Sequence, residues 1–118
     1  MLHSMLKAKI HRATITDSNL DYEGSLSVDR HLMAAAGLHP FERIHIYNIN
    51  NGERFETYII EGEPGVIGLN GAAARKGLVG DLIIIAAYVL VDDQELASYR
   101  PKIVLLDEQN SIKQQLDK

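Results

Sequence analysis

Residues 43–60 read RIHIYNINNGERFETYII, two runs rich in isoleucine, tyrosine and phenylalanine on either side of Asn50, Asn51, Gly52 and Glu53. Such β-branched and aromatic residues favour an extended backbone. Asn-Gly is a strong hairpin signal because both residues tolerate a positive φ angle. The stretch therefore predicts an antiparallel hairpin of residues 43–49 with residues 54–60, in a fold made mainly of strands.

Segments on both sides of this hairpin also have the composition of strands. From residue 6 to residue 11 apolar and polar residues alternate, so Lys7, Lys9 and His11 share one face of an extended strand. Further extended segments are predicted at residues 22–28, 66–69, 82–91 and 102–106.

Helical segments are few. Asp29 is predicted to cap a short helix that ends at Gly37, and Asp92 is predicted to cap another that ends before Pro101. Residues 71–76 are predicted to form a loop or a single helical turn, and the polar tail from residue 107 is expected to be frayed. Many short strands with few helices indicate a small closed β-barrel, although periodicity does not supply its topology.

Size and composition limit the classes of function. The chain has 118 residues, enough for one packed core in a single domain, residues 1–118. Its formal net charge of -4 gives no broad attraction for nucleic acid or an anionic membrane. Residues 82–91, the longest apolar stretch, have about half the length of a membrane-spanning helix. The chain has no cysteine, which excludes disulfides and thiolate metal sites and favours a cytoplasmic protein.

Four short segments carry more specific information. They are KIHR at residues 9–12, DYEGS at residues 21–25, NGERFETY at residues 51–58 and NGAAA at residues 70–74. In this order they resemble segments of the aspartate 1-decarboxylases, a family of pyruvoyl-dependent enzymes, and the likeness extends by pattern to about residue 104. The resemblance implies a six-stranded double-psi β-barrel with short helices, assembled as a homotetramer with active sites between neighbouring subunits.

The resemblance also implies self-cleavage between Gly24 and Ser25, into chains of residues 1–24 and 25–118. The Ser25 hydroxyl attacks the Gly24 carbonyl to give an ester, and β-elimination with hydrolysis then leaves a pyruvoyl ketone and releases ammonia. Glycine suits position 24 because it permits strained backbone and close approach. Thr57 and Asn70 are implied to steady the oxyanion. Whether an accessory maturation factor is needed stays open.

The pyruvoyl group derived from Ser25 would be the cofactor, without pyridoxal phosphate and without a metal. Removing the α-carboxylate of an amino acid leaves electrons that no ordinary side chain accepts, and an electrophilic carbonyl supplies the sink. Tyr58 resembles the family's proton donor. His31, His39 and His45 match no functional position, and the histidines have no metal-ligand spacing.

The substrate implied is L-aspartate, which carries two carboxylates. Arg54 offers a planar fork of donors to a carboxylate, and Lys9 supplies a second positive charge. Which carboxylate each one binds stays open. The resemblance adds Thr57, Gly71, Ala72 and Ala73 as substrate-binding residues and His11, Tyr22 and Tyr47 as candidates for lining the pocket, Tyr47 standing where the family most often has tryptophan.

The positions along the second hairpin strand suggest that subunits share each site. Arg54 and Tyr58 point the same way on a regular strand, whereas Thr57 points to the opposite side. All three serve one pocket only if the strand is irregular or if different subunits contribute. We favour shared sites, as the family implies.

Three functions remain open at this point. The leading one is decarboxylation of L-aspartate to β-alanine and carbon dioxide, which feeds pantothenate and coenzyme A biosynthesis. A longer acidic amino acid such as glutamate is an alternative substrate, because one methylene changes pocket affinity by only about 1–3 kcal/mol. The third is an unprocessed, non-catalytic barrel that acts as a binding module with Ser25 intact.

Overall fold

The structure, a computed structural model, describes residues 1–117. These residues form nine strands, one α-helix and one 3₁₀ helix. In chain order the elements are β1 (Leu2–Thr14), β2 (Asp17–Asn19), β3 (Ser25–Asp29), α1 (Arg30–Ala36), β4 (Arg43–Asn48), β5 (Arg54–Gly62), β6 (Ile67–Asn70), the 3₁₀ helix (Gly71–Lys76), β7 (Leu82–Asp92), β8 (Lys102–Leu106) and β9 (Ile112–Asp117). The mainly β fold predicted from the sequence is confirmed.

Six strands close into a ring. The hydrogen-bonded order is β2-β6-β3-β5-β4-β7-β1-β8-β9. Only Ile15 and Thr16 separate β1 from β2, and the Thr16 amide donates to the Ile67 carbonyl at 2.8 Å. Strands β1 and β2 are thus successive parts of one extended segment, which meets β7 at one end and β6 at the other. The ring is β1/β2, β6, β3, β5, β4 and β7.

The pairing within the ring fits the expected double-psi arrangement. Two pairs of adjacent strands, β3 with β5 and β2 with β6, are parallel. The other pairs of the ring, β1–β7, β4–β7, β4–β5 and β3–β6, are antiparallel. Strands β8 and β9 add a hairpin outside the ring, where β8 runs parallel to β1.

The core fills the interior of the ring with branched aliphatic side chains. On β7, Ile83, Ile85 and Ala87 are fully buried and alternate with outward-facing neighbours. Removing an aliphatic side chain of this size from water contributes about 1.5–3 kcal/mol. Other fully buried members come from every ring strand except β2 and include Ile10, Leu26, Ile44, Ile59 and Leu69. This packing makes the barrel wall a rigid support for the side chains on its outer surface.

The short helix α1 is bounded as the sequence predicts. The Asp29 carboxylate accepts a hydrogen bond from the His31 amide at 2.8 Å, and Gly37 ends the helix with a φ angle of 70°. The β4–β5 hairpin is also confirmed. Among residues 1–117, no helix is long and apolar enough to cross a membrane.

Three predictions of secondary structure are wrong. Residues 93–98 form successive turns rather than a helix, although the Asp92 carboxylate accepts the cap-like hydrogen bond from the Glu95 amide at 2.9 Å. The segment 22–28 becomes a strand only from Ser25 onward. Residues 112–117 pair with β8 as strand β9 instead of fraying. Their side chains are mostly exposed, so no alternation of apolar and polar residues marks the strand. The pairing itself is made by main-chain hydrogen bonds.

Candidate active site

Ser25 begins strand β3 in a strained and buried position. Its φ angle is 144°, which residues other than glycine rarely adopt, and its exposed fraction is 1%. The Asn70 side-chain amide donates to the Ser25 hydroxyl oxygen at 3.0 Å and to the Ser27 hydroxyl oxygen at 2.9 Å. Such backbone strain costs about 1–3 kcal/mol and persists only when the surroundings impose it. The fold therefore fixes the Ser25 hydroxyl directly after Gly24.

At Gly71 the start of the 3₁₀ helix packs closely against this junction. Its φ angle is 62°, and a Cβ atom added there would lie 2.8 Å from the Cα and N atoms of Gly24 and from the carbonyl oxygen of Tyr22. Real Cβ atoms do not approach backbone this closely. Only glycine at position 71 lets the two segments meet as they do.

A cavity of about 230 Å³ opens beside the junction. Gly24, Thr57, Ala72 and Ala73 line it together with Phe55, Glu56 and Lys76. Small side chains at positions 24, 72 and 73 leave backbone groups accessible to a ligand. We call Gly24, Ser25, Thr57, Asn70 and residues 71–73 the junction cluster. The structure brings these predicted site residues together.

A second group of predicted site residues lies on the outer face of the barrel. Strand register places Lys9 opposite Ala86, which is opposite His45, and places His11 opposite Ile84, which is opposite Tyr47. Tyr47 in turn lies opposite Arg54. Residues directly opposite each other on neighbouring strands share a face. We call Lys9, His11, Tyr47 and Arg54 the cationic face.

Arg54 is held by aromatic side chains. Its guanidinium carbon lies 3.9 Å from the centre of the Tyr47 ring, a cation–π contact. The Tyr47 hydroxyl forms a 2.8 Å hydrogen bond with the Tyr88 hydroxyl. Burial, and then the hydrogen bond to Tyr88, raise the pKa of Tyr47 to about 12, so it stays a neutral phenol. Ser4, His45, Tyr47, Arg54, Phe55, Glu56 and Tyr88 line a cavity of about 510 Å³ here.

The charges of Lys9 and Arg54 are not neutralised by carboxylates of residues 1–117. Within residues 1–117 neither forms an ion pair, whereas Lys7 pairs with Glu42 at 2.8 Å and Arg43 pairs with Glu56. Three strand spacings, roughly 14 Å, separate β1 from β5 across this face. Lys9 and Arg54 are therefore on one surface without touching each other.

His11 has an unusual environment on the same face. Its Nδ1 atom is buried and has no hydrogen-bond partner among the described residues. Burial, followed by the charges of Lys9 and Arg12, lowers the pKa of His11 below its ordinary value. Both effects favour the neutral form of the imidazole beside Lys9.

Tyr58 and Tyr22 lie near the junction, and among the described residues neither hydroxyl is hydrogen-bonded to Ser25. The Tyr58 ring packs 6.2 Å from that of Phe41, and its hydroxyl bonds to no residue of 1–117. Leu26 pairs with Ile59, so the same register continued by one residue sets Ser25 level with Tyr58. Tyr22 lines a polar groove with Ser27 and Asn70. Both tyrosines are more than a third exposed, so both are accessible to a ligand.

Sequence reasoning missed two residues of the site. Tyr88 lies in the apolar run of β7. Its hydroxyl, at an outward-facing position of a strand that is otherwise apolar, is the feature that could have indicated a role in the site. Ser27 shares Asn70 with Ser25, and nothing in the sequence pointed to it. His45, expected to be structural or exposed, lies in the Arg54 cavity and contacts Glu56 at 3.2 Å.

Among residues 1–117, no group of three or more acidic or histidine side chains is placed to hold a metal ion.

Comparison with known proteins gives one consistent answer. A family model described as aspartate decarboxylase matches residues 1–113. An aspartate 1-decarboxylase of Desulfotalea psychrophila is 59% identical over 97% of this chain and 98% of its own length. Those of Syntrophus aciditrophicus and Ralstonia pickettii are 57% and 56% identical, each over 96% of this chain, and over 99% and 96% of their own lengths. The chain belongs to the aspartate decarboxylase family.

Proposed function

We propose that this protein is an aspartate 1-decarboxylase, which converts L-aspartate to β-alanine and carbon dioxide for pantothenate biosynthesis after self-processing at Gly24-Ser25. The observation that carries the proposal is the buried Ser25 hydroxyl, bonded to Asn70 and set on strained backbone directly after Gly24. The names of the relatives favour aspartate over a longer acidic substrate.

Self-processing begins at the Ser25 oxygen. This oxygen loses its proton and attacks the Gly24 carbonyl carbon; the C–N bond of the peptide breaks and leaves an ester with a free amine on Ser25. Loss of the Ser25 α-proton then expels the Gly24 carboxylate, and addition of water to the remaining enamine releases ammonia. The Asn70 amide and the Thr57 hydroxyl stabilise the negative oxygen formed in the first step. Strain at Ser25 is relieved as the peptide breaks, which favours cleavage.

The substrate is held by charge and by small-residue backbone. The Arg54 guanidinium binds one carboxylate through two parallel hydrogen bonds, and Lys9 supplies the second cation. Thr57, Ala72 and Ala73 line the cavity in which the reacting end of the substrate lies, next to Gly71. Firm binding of the distant carboxylate serves catalysis best, because stabilising the departing one in the ground state would raise the barrier.

The pyruvoyl group, when formed from Ser25, supplies the electron sink that decarboxylation requires. Tyr58 holds a proton on its hydroxyl oxygen and delivers it to the substrate carbon that carbon dioxide has left. His11 lines the pocket beside Lys9, and its lowered pKa favours the neutral imidazole there. We place this reaction in the cytoplasm, which the absence of cysteine favours.

We further propose that the enzyme is a homotetramer in which each active site combines the junction cluster of one subunit with the cationic face of its neighbour. Thr57 lines the junction cavity from one side of β5, while Arg54 lies on the opposite side of the same strand. A neighbouring subunit that presents its cationic face to the junction would complete the site.

Intact-mass analysis tests the processing step. Purified protein should contain chains of 24 and 94 residues (118 minus 24). The larger chain should be lighter, by the mass of one ammonia, than the same chain with an N-terminal serine. Ser25→Ala should remain a single chain without activity, whereas Ser27→Ala, which alters a neighbouring hydroxyl, should still be cleaved. A wild-type chain that stays whole after prolonged warming alone, and also with a cell extract, contradicts the proposal. Cleavage only with the extract would indicate a maturation factor.

Subunit mixing tests the shared site. Ser25→Ala and Arg54→Ala should each be inactive alone. Co-expressed, they should recover a fraction of wild-type activity, because some sites then receive an intact Ser25 from one subunit and an intact Arg54 from its neighbour. Absence of recovery, although mixed tetramers are isolated, would place both residues in one subunit.

A further inference from the structure

A continuous chain of contacts leads away from β5 and returns to it. It runs from Glu56 to His45, on to Tyr88, then to Tyr47 and finally to Arg54. Glu56 and Arg54 are both on β5, His45 and Tyr47 are on β4, and Tyr88 is on β7. Every link is a side-chain contact on the outer face of the barrel.

Each link restricts the next side chain. A Glu56 carboxylate oxygen lies 3.2 Å from His45 Nε2. The His45 ring meets the Tyr88 ring edge-on, with centres 5.0 Å apart and planes at 89°. Edge-to-face pairs of this kind are attractive and directional. The Tyr88 ring is thereby held from one side, while its hydroxyl bonds to Tyr47 at 2.8 Å on the other.

Arg54 needs this support because it lacks other partners. Its guanidinium forms no ion pair within residues 1–117, and the Tyr47 ring at 3.9 Å is its aromatic contact. A long exposed arginine side chain samples several rotamers, and binding must then overcome the entropy of ordering it. A ring fixed under the guanidinium reduces that cost before substrate arrives.

We propose that Tyr88 is a positioning residue for Arg54: by fixing the Tyr47 ring through its hydroxyl, it holds the guanidinium ready for a substrate carboxylate. The inference rests on the proposed function, since it assigns Arg54 to a dicarboxylate. Tyr88 itself does not touch the reacting atoms. Because its pKa is raised to about 12, Tyr47 presents an uncharged ring to the guanidinium at neutral pH.

The tyrosine pair also explains how this chain manages without tryptophan at position 47. An indole ring is larger and would fill more of the cavity. Tyr47 is smaller, and its hydroxyl bond to Tyr88 supplies the restraint that packing does not. Each hydroxyl restrains Tyr47 only through its bond to the other, so the effects of removing the two hydroxyls should not be additive.

The test combines Tyr88→Phe, Tyr47→Phe and the double variant, with Tyr99→Phe as the matched control. Tyr99 donates its hydroxyl to the Leu6 carbonyl at 2.8 Å, away from Arg54. Each of the first three should raise KM for aspartate about fivefold, the loss of one neutral hydrogen bond, with kcat within twofold and processing unchanged. The double variant should match either single variant, because all three remove the same bond. Tyr99→Phe should leave KM unchanged.

Binding of succinate gives a second readout that does not need turnover. Succinate has two carboxylates and no amine, and calorimetry on Ser25→Ala protein should show its Kd rising about fivefold when Tyr88→Phe is added. Unchanged KM and Kd, additive effects in the double variant, or a fall in kcat that follows the fall in Tm would each overturn the role of Tyr88. If wild-type protein neither cleaves itself nor turns over aspartate, the proposed function fails, and the succinate result still decides the role of Tyr88.

Discussion

The junction cluster and the cationic face differ in how much the isolated fold prepares them. In the junction cluster Ser25 and Asn70 are nearly fully buried and joined by a direct hydrogen bond, and Gly71 lies close against the backbone of Gly24. On the cationic face Arg54 is exposed, Lys9 is half-buried, and neither forms an ion pair within residues 1–117.

This difference follows from the chemistry assigned to each region. The attack of a serine on its own peptide bond needs exact positions within one subunit. Binding of a diffusing dicarboxylate needs accessible cations whose charges are not already neutralised. The first region can be complete in one fold, whereas in the tetramer proposed above the second is completed by substrate and a neighbouring subunit. Variants should therefore separate processing from turnover.

Arg54→Ala should produce the largest separation. Loss of two charge-assisted hydrogen bonds, each worth about 1.5–3 kcal/mol, should lower kcat/KM for aspartate by roughly 10²–10⁴ while self-cleavage stays near its wild-type rate. Steady-state kinetics and intact-mass time courses measure the two effects. Arg30→Ala is the matched control, because its guanidinium is already paired with Glu63. Equal loss of cleavage and turnover would mean that Arg54 has a structural role.

Tyr58→Phe should leave processing and binding intact and lower turnover. A general acid contributes typically 10²–10⁴-fold, and we expect kcat to fall by about 10³. Succinate affinity should not change, since the substitution removes one hydroxyl that bonds to no residue of 1–117. A variant that decarboxylates aspartate at the normal rate would show that water or another group supplies the proton.

Gly71→Ala should act on the junction instead. The added Cβ would lie 2.8 Å from Gly24 backbone atoms, so the junction must shift, and a displacement near 1 Å costs about 10² in rate. Time courses of cleavage measure this effect. Gly52→Ala is the control: its φ angle of 77° imposes similar strain, but no atom lies within 4 Å of the new Cβ. Equal slowing in both variants would assign the effect to general destabilisation.

Asp29→Asn should have the smallest effect and should change stability alone. Burial tends to raise the pKa of Asp29, but hydrogen bonds from the Gly65 and His31 amides outweigh it and lower the pKa below 3.8. The stability that the ionised carboxylate contributes is thus present above that pH and lost as pH falls through the lowered pKa. The variant should lose about 1 kcal/mol at pH 7 and progressively less toward pH 3. Thermal unfolding at several pH values, with exposed Asp17→Asn as control, measures this; a constant difference would exclude the carboxylate charge as the cause.

The sequence alone predicted the local features of both regions. Asn51 and Gly52 predicted the β4–β5 hairpin, and Asp29 and Gly37 predicted the bounds of α1, because capping and turn preferences act within a few residues. The alternation of side chains along an extended strand also separates Arg54 and Tyr58 from Thr57, because successive residues point to opposite faces. The ordered motifs named the candidate residues, whose catalytic roles remain predictions.

Only the tertiary structure decided which of these residues meet. Asn70 reaches Ser25 across 45 positions, and Tyr88 reaches Tyr47 across 41. Both contacts depend on strand register and on ring closure through Thr16 and Ile67. Strand β9 likewise forms because β8 offers it a free edge. Residue preferences fix backbone conformation locally, but contacts between distant residues arise only when the buried faces of all the strands pack into one core.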